Sequence, residues 1–182
     1  MRQRHAAAPA SRSQTSSYTT EHGLYSKKEL SLVPEISRSL SRGCGNPTGF
    51  AELQPGEVVV DFGCGAGIDA ILAAHKVMPG GKVVGLDFSA QMIDRARQAV
   101  SEAGFMNAIE FVVADMEQAD VPDGSADVVI SNCVINLCPD KRAVYREMFR
   151  ILKPGGRLYI GDIVVAKAIP LEALDDISLW TG

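Results

Sequence analysis

From Val58 to Gly67 the chain reads Val-Val-Val-Asp-Phe-Gly-Cys-Gly-Ala-Gly, a β-branched run that leads into an acidic residue and three closely spaced glycines. The valines favour a buried strand, the glycines let the backbone turn sharply against a ligand, and Ile68 opens a helix whose first amides face that ligand. Such a pattern is a nucleotide-site entrance, and a second apolar strand supports it. In Lys82-Val-Val-Gly-Leu-Asp-Phe88 the acidic Asp87 stands twenty positions after Gly67, the place expected for a ribose-hydroxyl acceptor.

The 182 residues are 46% hydrophobic and 22% charged, which suits one folded domain, and no apolar run is long enough to span a bilayer. A net charge of -4 and a pI near 5.4 argue against a nucleic-acid partner, because phosphate binding needs a basic field. A small-molecule ligand is favoured. The four cysteines, Cys44, Cys64, Cys133 and Cys138, could form a disulfide framework in a small secreted chain. No signal-peptide pattern precedes them, so a reducing cytoplasm is expected.

Residues 1–20 carry almost no large apolar side chain and are expected to be a mobile, disordered tail. Residues 21–56 read as a helical and loop segment that contains Cys44, and 57–182 as the cofactor-binding core. Ser26-Lys-Lys-Glu29 has the form of a capping box, with Pro34 limiting the helix behind it. Asn46-Pro47 resembles an N-cap followed by proline at the first helical position, and Gln54-Pro-Gly56 turns the chain into the first strand. Strands are expected at 57–62, 82–87, 109–114, 126–131 and 157–165, and helices at 68–78, 90–103, 140–152 and 171–180. Met92, Ile93, Ala96, Ala99 and Val100 repeat at helical spacing between Ser89 as N-cap and Gly104 as stop. Alternating strands and helices predict an α/β, Rossmann-like, doubly wound and mostly parallel sheet, with the ligand at the strands' carboxyl ends.

The glycine spacing discriminates between ligands. Gly63-Cys-Gly65-Ala-Gly67 is G-x-G-x-G, whereas the dinucleotide fingerprint places two residues before its last glycine to accommodate a pyrophosphate. Asp61 at the strand end would orient an ammonium and favour a sulfonium charge, but would repel a pyrophosphate. Asp115, closing the third strand, could accept from an adenine amino group. These features select S-adenosylmethionine over NAD. Asp127, Asp140 and the carboxylates of 172–176 read as solvated faces or helix starts. His5, His22 and His75 show no metal-ligand spacing.

With Val58–Gly67, Asp87, Asp115 and the Leu152-Lys-Pro-Gly-Gly156 turn, the chain resembles class I S-adenosylmethionine-dependent methyltransferases over residues 50 to about 165. Ser131-Asn-Cys-Val-Ile-Asn-Leu137, followed by Pro139-Asp-Lys141, resembles the signature of arsenite methyltransferases, and Gly43-Cys-Gly45 matches the same family. The resemblance implies arsenite as the small-molecule substrate, presented as a thiol adduct, and a thiol reductant. It assigns arsenic binding and catalysis to Cys44 and Cys133. Cofactor contacts fall to Asp61, Gly63, Cys64, Gly65, Gly67, Asp87, Phe88, Met92, Asp115, Met116, Glu117 and Asn132.

Trivalent arsenic is soft, so thiolates hold it better than carboxylates or imidazoles do. Its lone pair can then attack a sulfonium methyl directly. On their own, Cys133 could be an ordinary buried small residue and Cys44 a tolerated loop residue. Cys64 stands where the family commonly has serine and is expected to pack beside the cofactor, and Cys138 reads as a neutral or capping residue with an outside chance of being a third thiol. The family commonly carries further cysteines where this chain has Ser11-Arg-Ser-Gln-Thr-Ser-Ser17, and it continues past a segment like Leu179-Trp-Thr-Gly182 into another cysteine and the last strands. The expectation is therefore a C-terminally incomplete core that methylates arsenite poorly by itself.

Titration calorimetry is expected to show adenosylmethionine binding in preference to NAD, with Asp87→Ala weakening it by about 1–3 kcal/mol through loss of a buried charged acceptor. Equal affinity for the two cofactors, or an unaffected variant, would overturn the assignment.

Overall fold

The computed structural model describes residues 23–164; the tail expected over 1–20 and the helix expected over 171–180 lie outside them. Five strands, β1 (Val58–Phe62), β2 (Lys82–Asp87), β3 (Ile109–Val113), β4 (Ala126–Asn132) and β5 (Leu152–Gly161), form one sheet in the order β3-β2-β1-β4-β5. Every pairing in it is parallel. The longer helices are α4 (Ile68–Val77), α5 (Ala90–Ala103) and α6 (Lys141–Ile151), and three short ones come first: α1 (Lys27–Ser31), α2 (Glu35–Leu40) and α3 (Pro47–Phe50).

Side chains alternate across the strands, so each face of the sheet builds its own core. Val59, Val83, Val128 and Ile130 face one way, into a cluster with Ile71, Ile93 and Phe111 that also takes in Tyr25, Leu30, Val33 and Leu53 from the N-terminal segment. Val60, Phe62, Leu86 and Val129 face the other way, against Val144, Met148 and Ile151 of α6. Helices on both faces make the sheet doubly wound. The N-terminal segment shares the first of these cores.

Local chemistry sets the helix ends. The Ser26–Glu29 capping box forms reciprocally, and the Asn46 side chain accepts from the Gly49 amide with Pro47 at the first helical position. Ser89 caps α5, which ends at Gly104 in the left-handed conformation. Pro34 ends α1's surroundings as expected, yet it also opens α2, a helix the sequence reading missed, because a proline's fixed φ suits a helix start.

Strand five departs most from expectation. It starts at Leu152 and ends at Gly161, and its register jumps from Ala126↔Leu152 to Val128↔Arg157 as the Lys153-Pro-Gly-Gly156 turn bulges out. Asp127, expected on a solvated face, instead accepts from the Val58 amide at 2.8 Å and from Lys153 at 2.8 Å, which pins the start of β1 to this turn. The strand order reverses between β1 and β4, so the loops after those two strands part and leave a crevice.

Candidate functional site

The crevice is a cleft of about 300 Å³ lined by the loop after β1, the ends of β2 and β4, and the Ser37–Gly43 stretch. Its floor is the glycine loop. The Gly63 and Cys64 amides donate to the Leu86 carbonyl at 2.8 and 2.9 Å, and Gly63, Gly65 and Gly67 all have the positive φ that other residues avoid. Asp87 braces this loop, accepting from the Gly65 amide at 2.9 Å and from the Ser89 amide at 2.9 Å. Asp61 is 1% exposed, and its Oδ2 has no hydrogen-bond partner among the described residues. Burial, reinforced by Asp69 and then Asp87, raises the Asp61 pKa well above the carboxylate range. Phe88, which is 71% exposed, and half-buried Met92 give the cleft an apolar rim above this acidic floor.

At the mouth of the cleft, Cys44, Cys133 and the Asp162 carboxylate lie within 4.8 Å of one another. All four cysteines are free thiols. Asn132 holds the Cys44 loop in place: its Oδ1 accepts from the Cys44 amide at 3.1 Å and the Gly45 amide at 3.0 Å, while its Nδ2 donates to the Gly45 carbonyl at 2.9 Å. Space at the flanking glycines is short, most of all at Gly43. A Cβ on Gly43 would fall 2.4 Å from Asn132 Nδ2, and one on Gly45 would fall 3.3 Å from the Gly161 Cα.

Cys133 leaves β4 with φ 59°, a left-handed conformation unusual for a residue with a side chain, and its amide donates to the Gly161 carbonyl at 2.7 Å. Burial, the adjacent Cys44 sulfur and Asp162 push its thiol up to about 12. Asp162 is oriented by the Asn136 amide at 3.1 Å and the Ile163 amide at 2.7 Å.

A buried network supports the same asparagine. Asn132 Nδ2 also donates to Tyr25 Oη at 2.9 Å and Asp69 Oδ2 at 3.0 Å, and the Tyr25 hydroxyl donates to both Asp69 oxygens at 3.0 and 2.9 Å. Burial raises the Asp69 carboxyl to about 6 against the lowering effect of the Asn132, Tyr25 and Thr48 hydrogen bonds.

The structure thus gathers Asp61, Gly63, Cys64, Gly65, Asp87, Phe88, Met92, Asn132 and Cys133 around one cleft, with Cys44 at its mouth. Gly67 lies just outside the lining and serves as the N-cap of α4. Asp115, Met116 and Glu117 stand apart. β3 ends two residues before Asp115, whose carboxylate accepts from the Glu117 amide. Met116 is buried in the core beside α6, and Glu117 accepts from the Asp140 amide at its start. The Cys64 thiol is buried and would meet a Cβ on Gly85 at 3.0 Å, and the Cys138 thiol is buried and directed at the Val134 carbonyl. Neither joins the Cys44 group.

Sequence reasoning missed Asp162, Tyr25 and Asp69; Asn132, expected as a cofactor contact, lines the cleft and also holds the Cys44 loop through its side-chain amide. Asp162 had a usable signal: like Asp61 and Asp87, it is an acidic residue at the carboxyl end of a strand. Extending the fifth strand to 165 hid it.

A family profile described as "Methyltransferase domain" matches residues 53–180. The chain belongs to this methyltransferase-domain family. Within the family it resembles the arsenite methyltransferase of Halobacterium salinarum, 44% identical over 143 residues that make up 79% of this chain and 36% of that protein. The arsenite methyltransferase of Aquipseudomonas alcaligenes is 38% identical over 162 residues, 85% of this chain and 46% of that protein. The crystal structure of an arsenic(III) S-adenosylmethionine methyltransferase from Chlamydomonas reinhardtii matches with a TM-score of 0.75 and 33% identity, covering 84% of this chain and 53% of that one. The chain therefore spans less than half the length of these curated relatives. Among its described residues, no helix is long and apolar enough to cross a membrane.

Two predictions follow from the geometry of this methyltransferase domain. Asn132→Ala should slow the joining of Cys44 to Cys133 by a short bis-alkylating reagent by about tenfold or more, because ångström-scale misplacement of reacting groups is costly. Peptide mapping by mass spectrometry reads the cross-link, and unchanged joining would show that Asn132 does not set the thiol pair.

The second concerns pH. Asp61 and Asp69 keep their protons to higher pH in the fold than in the unfolded chain, so the stability they contribute is present at low pH and lost as pH rises from the ordinary 3.8 through about 6 for Asp69. Without ligand, Asp61→Asn should gain more melting temperature over the parent protein at about pH 8 than at about pH 5, because the parent's fold favours a proton that the unfolded chain gives up above the ordinary carboxylate pKa. Parallel melting curves at both pH values would contradict this.

Proposed function

We propose that this chain is the cofactor-binding and thiol-bearing part of an S-adenosylmethionine-dependent methyltransferase whose acceptor is trivalent arsenic. The observation that carries the reading is the meeting of Cys44 and Cys133, 89 positions apart in sequence, at the mouth of an acidic nucleotide-type cleft. The cleft's chemistry fits the cofactor. Asp61 Oδ2 is a buried oxygen that lacks a donor, which an ammonium would supply. Asp87 retains lone pairs for ribose hydroxyls after accepting its two amides, and Phe88 and Met92 offer apolar surface to a purine. Bound there, S-adenosylmethionine would supply an electrophilic methyl on a sulfonium sulfur.

The chain's own residues handle the acceptor. Each thiol displaces one hydroxyl from arsenous acid, forming an S–As bond while the thiol proton leaves with the hydroxyl as water. If the arsenic arrives as a thiol adduct, the same exchange releases the carrier thiol. The high pKa of Cys133 is compatible with this step, because its proton has a destination and no free thiolate need accumulate. Once held by two sulfurs, arsenic keeps its lone pair, so methylation needs no general base to deprotonate the acceptor. The protein contributes placement: Asn132 fixes Cys44, and the left-handed turn fixes Cys133. A reducing compartment and a thiol reductant would keep the pair open for exchange, which suits a cytoplasmic location.

The test uses thiol-reduced protein, excess cofactor and arsenite, with methylated arsenic followed by mass spectrometry in a single turnover. Arsenite-dependent methyl transfer is expected, and Cys44→Ser and Cys133→Ser should each lower it by about a hundredfold. Methyl transfer to an organic acceptor that is indifferent to both substitutions, with none to arsenic, would replace this reading with that of an organic small-molecule methyltransferase.

A further inference from the structure

We propose that Cys44, Cys133 and Asp162 also form a binding site for a divalent thiophilic cation such as zinc or cadmium, held by two sulfurs and one carboxylate oxygen with one position left open. The inference goes beyond the arsenic reading and does not require arsenic to be a substrate. Its basis is the third donor. A soft, lone-pair-bearing arsenic centre gains little from a carboxylate, whereas carboxylate oxygen beside thiolate sulfur is an ordinary ligand set for zinc-like ions.

The dimensions agree. Metal–sulfur bonds of about 2.3 Å and metal–oxygen bonds of about 2.0–2.2 Å place the donors of a tetrahedral ion roughly 3.5–3.8 Å apart. The three donor atoms already lie within 4.8 Å of one another, so side-chain movements on the order of 1 Å would close the set. Each donor is also oriented from behind, as metal ligands generally are. Asp162 accepts the Asn136 and Ile163 amides, and its carboxylate has lone pairs left over. Cys44 is carried by the Asn132 amide, and Cys133 by the hydrogen bond from its own amide to the Gly161 carbonyl.

Charge favours the same ligand class. The adjoining cleft is lined by Asp69 and Asp87 as well as the proton-retaining Asp61, with Arg42 as the one basic residue among the described lining residues, so a cation meets an acidic surface. Uptake releases the two thiol protons as the two metal–sulfur bonds form, and no redox change is needed. The open position would hold water or an external thiol. A cation in this set occupies the sulfurs that arsenic would use, so the two must exclude each other.

The test titrates the reduced, metal-free 182-residue chain with cadmium ion in a non-thiol reductant, following the ultraviolet thiolate-to-cadmium charge-transfer band and competition with a chromogenic chelator. One cadmium per chain is expected. Asp162→Asn should weaken its affinity by at least about 10–100-fold, the range for losing a group that merely orients a ligand, and Asp162→Glu should restore most of it. The Cys44→Ser/Cys133→Ser double variant should lose the band, with circular dichroism confirming that each variant is folded. An unchanged affinity in Asp162→Asn, or a band that survives in the double variant, would overturn the proposal. In a separate arm, arsenite should protect Cys44 and Cys133 from alkylation, and cadmium should abolish that protection's dependence on arsenite. Cadmium binding without any arsenite protection would sustain this site while removing the arsenic reading; arsenite protection without cadmium binding would do the reverse.

Discussion

One side-chain amide holds the working part of this structure together. Asn132 sits at the end of β4 and bonds to the Cys44 loop on one side and to Tyr25 and Asp69 on the other. An amide is suited to the task because it offers an acceptor and donors at one rigid plane, so it can receive two backbone amides and return a hydrogen bond to the same loop. Inside a dry interior a connected network of this kind is strong when complete and costly when broken. The placement of Cys44 therefore depends on residues in three other parts of the chain, at Tyr25, Asp69 and Asn132. A hydrophobic contact could bury the loop, but it could not set the direction of the sulfur.

The cleft carries an electrostatic burden that the rest of the fold must offset. Asp61, Asp69 and Asp87 are all buried, and Asp61 keeps an oxygen with no donor among the described residues. Such a group costs stability, since a buried polar atom has given up water for nothing. The arrangement makes sense for a floor that meets a positively charged ligand. The stability comes from elsewhere: two apolar cores, one on each face of the sheet, and the β1–β4 pairing between Val59–Phe62 and Val128–Ser131.

Much of this was legible in the sequence because the signals were local. The Val58–Gly67 run, the Ser89 and Gly104 helix limits and the Ser26 capping box each depend on residues within a few positions of one another, and the structure forms all of them. The topology followed from alternation of strand and helix. What escaped was non-local. Nothing near Tyr25 in sequence indicates that its hydroxyl meets Asp69, and nothing near Asn132 indicates that its partner is a loop 87 positions upstream. Asp115, expected like Asp87 to meet the cofactor, follows the edge strand β3; its carboxylate accepts from the Glu117 amide, and Glu117 accepts from the Asp140 amide at the start of α6.

The cluster of Cys44, Cys133 and Asp162 exists because the sheet reverses its strand order between β1 and β4. That reversal opens the crevice, and the parallel pairing of β4 with β5 then brings Asn132 level with Gly161, so that Cys133 and Asp162 emerge side by side from adjacent strands. Gly45 and Gly161 pack closely where Cys44 meets them, and a Cβ on either would be tight against the other's backbone at 3.3 Å. The three donors are consequently not equivalent. Cys133 and Asp162 share the end of β5 through the Gly161 carbonyl and move with it, whereas Cys44 follows the amide of Asn132. A displacement of the β5 end would thus shift two donors together and leave the third behind, which makes the β4–β5 register, rather than any single cysteine, the element that decides whether the set can close on one atom.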